Sequence, residues 1–218
     1  AITKQTILVC VMLANNVVGT INPADEIGAI CKKHGILFFC DATQAIGKLA
    51  VNVNRINADL LAFSAHKIYG PKGVGALYVR GKSPNVRLTA QIDGGGQEHF
   101  LRSGTLNVPG IVGIGTACEL CQEELGDKPS LSSALRDKLE TGLRKALPDI
   151  QLNGHPTERL PNTVNVSFKN ADAVSILSNT PDVAASASSA CESGTSGSNY
   201  VLRAMGVSED SAASAIRF

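Results

Sequence analysis

The sequence predicts an α/β domain built on a mainly parallel sheet, and three observations carry that prediction. Apolar runs of strand length at residues 7–13, 36–40 and 60–63 each stop abruptly in a polar cluster. Between the first two lies a segment with helical spacing and both a start and a stop signal. Strand, helix and strand in that order imply a parallel pair joined by a right-handed crossover.

The elements follow in order. Residues 7–13 form a continuous apolar run, strand-like, that ends in Ala14-Asn15-Asn16 before Gly19. Pro23 with Asp25 and Glu26 opens a helix, since acids in a first turn complement the helix dipole. Ile27, Ile30 and Cys31 form its buried face, and Lys32-Lys33-His34-Gly35 closes it. The second strand, 36–40, ends in Asp41-Ala42-Thr43-Gln44, and residues 45–57 carry the chain over to a third strand. That strand, Leu60-Leu61-Ala62-Phe63, breaks into Ser64-Ala65-His66-Lys67 and then a Gly/Pro turn. A fourth strand is expected over 74–80.

Residues 92–110 form a long glycine-rich loop, and Arg102-Ser103-Gly104-Thr105 in it offers donors suited to a phosphate. Helices are expected over 110–125 and about 130–147, the second capped by Ser130, with apolar Leu131, Leu135, Leu139, Leu143 and Leu147 on one stripe. The texture then changes to short strands, notably 164–168, around a helix near 172–177. Residues 184–198, rich in Ser, Ala and Gly, read as a mobile loop carrying Cys191. A short helix over 200–205 stops at Gly206, and the chain runs on toward a strand at Arg217. The expected division is a large domain over 1–115 and a smaller α+β domain over 116–218.

Composition narrows the function classes. In 218 residues, 44% are hydrophobic and 18% charged, with a net charge of +1, so neither nucleic acid nor a membrane surface is implied as a partner. No apolar stretch reaches membrane-spanning length. The chain starts at Ala1 and stops within an apolar-periodic segment, so both ends read as cut. The six cysteines, Cys10, Cys31, Cys40, Cys118, Cys121 and Cys191, show no disulfide-framework spacing, which suits a reducing compartment. Cys118-x-x-Cys121 lies in a helical pattern with no second pair to complete a zinc site, so no metal is expected.

Three strand ends thus bring together Asn15-Asn16, Asp41 with Gln44, and Ser64, His66 and Lys67. In α/β folds chemistry collects at the carboxyl ends of strands. A carboxylate there can hold a pyridinium nitrogen protonated, and a lysine amine can condense with a carbonyl cofactor. An amide can position a ring hydroxyl. Those are a protein's tasks toward pyridoxal phosphate. Cys191, among small and polar residues, adds a nucleophile where its thiolate is stabilised.

The stretches ANNVVGTINP, FFCDATQAIGK, SAHKIYGPKGVGALYVR, GGGQEHFLRSGT, SSACESG and YVLRAMG, in that order, resemble the cysteine desulfurases of the NifS/IscS type within the class-V aminotransferase family. The resemblance implies the fold type I of pyridoxal-phosphate-dependent transferases, a homodimer, and removal of sulfur from L-cysteine with release of alanine. It makes Lys67 the cofactor lysine and the proton shuttle at the substrate α-carbon. It pairs Asp41 with the pyridine nitrogen and Gln44 with the ring oxygen, and sets Ser64 and His66 on the phosphate with Thr105 of the other subunit. Asn16 belongs to the same cofactor group and, with Arg217, grips the substrate carboxylate. Cys191 takes the sulfur as a persulfide, so Lys67, His66 and Cys191 form the catalytic group.

An iron–sulfur scaffold or another sulfur acceptor is the implied partner, in a bacterial cytoplasm or a mitochondrial matrix. Selenocysteine lyase, which shares the cofactor apparatus, and a silent fragment acting in dimerisation are the alternatives. The chain departs from the family pattern at Val17, where an acid is usual, and at Ala65 and Ser188, where glycine is usual. Family members also have an N-terminal portion with a ring-stacking histidine and a continuation past Arg217, so the chain reads as a fragment.

Overall fold

The fold is described from a computed structural model, which covers residues 1–125, 127–187 and 200–218, with residues 127 and 128 by backbone alone. The chain divides into two compact units, Ala1–Leu13 with Pro23–Leu125, and Ala14–Asn22 with Gly126–Phe218.

The first unit holds a four-stranded sheet in the order β1 (Leu8–Met12), β2 (Leu37–Asp41), β3 (Leu60–Ser64) and β4 (Gly75–Val79). The first three strands are parallel and β4 is antiparallel to β3. Helix α1 (Ala24–His34) makes the expected crossover. Gly35 stops it in a left-handed conformation, φ 66°, which a residue without a Cβ adopts at no steric cost. The Gly35 and Ile36 amides then satisfy the last carbonyls, those of Lys32 and Cys31.

Phe38, Cys40, Ala42, Ala45 and Ala58 have no exposed surface and form the centre of this core, with Leu61 packed beside them. At the opposite end of the sheet from the strand termini described below, buried Asp59 ties three strands together. Its Oδ2 accepts the Phe38 amide at 3.0 Å and its Oδ1 faces Arg80 Nε at 3.4 Å. Arg80 in turn donates twice to the Ala58 carbonyl.

After β4 the expected long loop is present, with a short 3₁₀ turn at Gln97–Phe100. Helix α2 (Val108–Glu124) starts earlier than expected because Asn107 caps it, accepting from the Gly110 amide, with Pro109 in its first turn. A boundary after residue 115 would cut this continuous helix, and the two units instead divide at 125/126.

The second unit contains α3 (Asp127–Ala146), α4 (Ala173–Asn179), α5 (Tyr200–Ala204), α6 (Glu209–Ala213) and an antiparallel sheet. That sheet runs in the order β5 (Gln151–Asn153), β6 (Asn165–Ser167), β7 (Ala215–Arg217). Val164, Val166, Phe168 and Ile216 are its buried centre.

One expectation fails here. Helix α3 begins before Ser130, so Ser130 is not its cap. Its leucine stripe is not buried, since Leu131, Leu135, Leu139 and Leu147 are exposed and only Leu143 packs on the core. The inward face is polar instead. Arg136 donates to the Leu160 carbonyl at 2.7 Å, and Glu140 pairs with buried Arg159 at 2.6 Å. Helical periodicity alone cannot tell a leucine face that packs on the core from one that does not.

Candidate active site at the strand ends

Parallel neighbours β1, β2 and β3 point their carboxyl ends the same way. Met12, Asp41 and Ala62 stand in register across them, and the Leu13 amide donates to the Asp41 carbonyl at 2.8 Å. Asp41 is the last residue of β2 and half-buried. Its Oδ1 accepts the Thr43 amide at 2.9 Å, which fixes the carboxylate at the head of the next turn. Among the described residues its Oδ2 has no hydrogen-bond partner. Buried Ala42 and Ala45 anchor that turn and leave Gln44 half-buried beside it.

The neighbouring β3 ends at Ser64, whose hydroxyl lies 2.7 Å from His66 Nδ1. The bond holds the imidazole in one orientation. A 3₁₀ turn, Ala65–Ile68, follows, with Ala65 and Ile68 buried and His66 and Lys67 exposed between them. The Gly70 amide closes the turn on the Ala65 carbonyl at 2.9 Å, and Tyr69 takes the left-handed conformation, φ 64°.

Helix α2 sits against this turn through small residues. A Cβ added at Gly113 would meet Pro71 Cγ at 2.5 Å, and one at Gly70 would meet the Ala117 Cβ at 3.3 Å. One at Gly47 would lie 2.7 Å from Cys121 Sγ and 3.0 Å from Ile68 Cγ2.

A residue the sequence reading missed is Lys48. Its ammonium is held below the ordinary lysine range by burial first and then by the positive charge of Lys67, partly offset by Cys121. Lys48 Nζ donates to the Gln44 carbonyl at 3.1 Å, so two lysine amines and the Asp41–Gln44 turn share one neighbourhood. The four-residue spacing from Gln44 was the available signal. Cys40, behind Asp41, is inert by contrast, since burial and the Asp41 charge push its thiol up to about 11.

Thr105 is exposed in the glycine-rich loop. That loop is organised by buried Ser103, which donates to the Gly95 carbonyl at 2.7 Å, and by Gln97, which accepts the Gly104 amide at 3.1 Å. Among the described residues no hydrogen bond joins Thr105 to the Asp41–Lys67 group.

In the second unit, Arg217 on β7 donates through NH1 to the Asn16 carbonyl at 2.8 Å, so these two expected partners do meet. The adjacent Asn165 donates to the Val17 carbonyl at 3.1 Å. Val17 itself is 2% exposed and packs with Leu202, Ala212 and Ala215, which accounts for an apolar residue there. Cys191 and Ser188 lie outside the described residues.

The aminotransferase class-V family model matches residues 1–209. The chain belongs to the class-V aminotransferase family. Among relatives within it, the chain is 51% identical over 218 residues to the cysteine desulfurase IscS of Anaeromyxobacter sp. (strain K), covering all of this chain and 54% of that protein. It is 47% identical over 222 residues to the mitosomal cysteine desulfurase of Trachipleistophora hominis, covering 50% of it. Among solved structures, a NifS-like protein superposes with a TM-score of 0.87 at 38% identity, covering all of this chain and 56% of that one. SspA in complex with cysteine superposes at 0.79 with 35% identity, covering 59% of that chain. This class-V chain therefore spans about half the length of the curated relatives it matches. Its family and its α/β fold are those the sequence motifs led us to expect.

Proposed function

We propose that the chain forms the catalytic heart of a pyridoxal-phosphate-dependent cysteine desulfurase acting on L-cysteine. The observation that carries this reading is the meeting of Asp41, Gln44, Ser64, His66 and Lys67 at the carboxyl ends of adjacent parallel strands. The donor set suits the cofactor. An ionisable carboxylate with one oxygen unpaired among the described residues, an exposed primary amine and an oriented hydroxyl–imidazole pair supply what its ring nitrogen, carbonyl and phosphate need. When bound, the cofactor supplies an electron sink for the substrate α-carbon.

The remaining tasks fall to the chain. Asp41 holds positive charge at the ring nitrogen, and Gln44 bonds the ring oxygen. Ser64 and His66 hold the phosphate together with Thr105 of a second subunit. Lys67 carries the cofactor and moves the proton at the substrate α-carbon. Asn16 and Arg217, adjacent in the second unit, bind the substrate carboxylate. Cys191 takes the sulfur: L-cysteine and the Cys191 thiol give alanine and a Cys191 persulfide, with no external oxidant. The persulfide then passes to an iron–sulfur scaffold or another acceptor protein, in a bacterial cytoplasm or a mitochondrial matrix. No described helix is long and apolar enough to cross a membrane.

The test is alanine release from L-cysteine by the cofactor-loaded protein, with mass detection of one added sulfur on the peptide containing Cys191. Cys191→Ser should lose both products, because a hydroxyl is far less ionised at neutral pH and attacks sulfur poorly. Undiminished alanine release in Cys191→Ser, or an adduct on Cys118 or Cys121, would sink the assignment.

A further inference from the structure

The cysteine pair that the proposed chemistry does not use stands directly behind the lysine turn. Cys118 and Cys121 lie one turn apart near the end of α2, both half-buried with reduced thiols. They are electrostatically close, since burial and then Cys121 push the Cys118 thiol above its ordinary value. Among the described residues no group of three or more metal-ligating side chains exists.

Cys121 is also the last member of a stripe, Gly113, Ala117 and Cys121, spaced four residues apart on one face of α2. Each member meets the Lys67 segment or its support: Gly113 meets Pro71, Ala117 meets Gly70, and Cys121 meets Gly47, whose own site adjoins Ile68. Lys48, next to Gly47, brings an ammonium into the same neighbourhood.

We propose that Cys118 and Cys121 form a reversible disulfide that loosens the turn carrying Lys67. The oxidant is a peroxide. The Cys121 thiolate attacks the O–O bond and becomes a sulfenic acid, releasing hydroxide. The Cys118 thiol displaces the oxygen as water, so two thiols and one hydrogen peroxide give one disulfide and two waters. A dithiol reductant reverses the step. On a regular helix the two Cβ atoms stand about 5–6 Å apart. A disulfide brings them to about 3.5–4.5 Å. Closure therefore shortens that separation by about 1–2 Å and turns Cys121 Sγ toward Cys118 and away from Gly47. No step of this inference depends on the desulfurase reading.

The experiment treats the protein with hydrogen peroxide, blocks remaining thiols by alkylation, and maps the segment 103–136, which contains no other cysteine. The expected product is that segment lighter by two hydrogens and unalkylated, returning to two alkylated cysteines after dithiothreitol. Hydrogen exchange is read in parallel at the Ala65 and Gly70 amides, which donate to Val74 and Ala65 carbonyls. They should exchange severalfold faster in the oxidised protein and be unaffected by peroxide in Cys118→Ser. Alkylation of both thiols after peroxide would overturn the proposal. So would a disulfide that leaves exchange over residues 65–70 unchanged, or faster exchange that persists in Cys118→Ser.

Discussion

Replacing Gly113 by alanine sets two effects of known size against each other. A methyl there would lie 2.5 Å from Pro71 Cγ and 2.8 Å from Pro71 Cδ. Non-bonded carbons rest about 3.5–4.0 Å apart, so helix and turn must separate by about 1 Å. Alanine is favoured over glycine within a helix by about 0.8–1.0 kcal/mol. Overpacking costs about 1–3 kcal/mol, which leaves a net loss of about 0–2 kcal/mol. The helix is continuous over 17 residues while Pro71 is exposed, so the turn yields rather than α2.

The variant should therefore fold almost normally yet hold Lys67 out of place. An error of about 1 Å can reduce a reaction by about a hundredfold. We expect the urea midpoint to fall only slightly, while cofactor uptake, followed by the absorbance of the loaded protein, slows by about ten- to a hundredfold. Pro71→Ala removes the two atoms in conflict, so the double variant should recover most of the uptake. Uptake at the wild-type rate in Gly113→Ala, or no recovery in the double variant, would refute the claim that α2 sets the lysine turn.

Other outcomes follow from the same geometry. Lys67→Ala should abolish the visible absorbance of the cofactor-loaded protein while Lys72→Ala retains it, and the reverse pattern would reassign the cofactor lysine. Asp41→Asn should bind cofactor but lose most turnover in the alanine assay, because a neutral amide cannot hold a pyridinium by charge. For Glu140, burial alone would raise the carboxyl, but hydrogen bonds and charges from Arg159 and Arg144 outweigh it and hold it below 4.5. A depressed folded value contributes stability that is present above the unfolded value and lost as pH falls through the folded one. The difference in urea midpoint between wild type and Glu140→Gln should thus be full at pH 7 and shrink below about pH 4.5; a gap independent of pH would disprove it.

Much of the first unit was legible in the sequence because its signals are local. The strands there are short apolar runs, β2 and β3 ended by a polar residue, and α1 carries acids at one end with lysines and Gly35 at the other. The strand ends fell where Asp41 and Ser64 were expected, and a parallel topology left them few places to be except side by side. What was not legible depends on distant partners. Residues 14–22 join the second unit because Val17 and Val18 are buried against Leu202 and Ala212, far along the chain. The leucines of α3 imitate a core stripe, yet the helix is held by Arg136 and Glu140, and only Leu160 and Arg159 reveal why. The helix α6 is five residues long, too short for a period to show. Lys48 reads as an ordinary surface lysine until burial and Lys67 are seen to act on it.

The placement of Lys67 is then a matter of packing more than of charge. Its side chain is exposed and, among the described residues, without an ion-pair partner, so the backbone chiefly aims its amine. That backbone is held by the burial of Ala65 and Ile68, by the Gly70-to-Ala65 hydrogen bond, and by the small residues at 47, 70, 113 and 117. The Ala65 Cβ would stand 3.0 Å from one built at Gly70. The Ala65 methyl fits there because residue 70 has none. Substitutions that add carbon on this seam should therefore disturb the site more than loss of the fully exposed Tyr69, although Tyr69 adjoins the seam and is far larger. Under the role proposed for Lys67, the close-packed small residues beneath the turn fix where its amine stands.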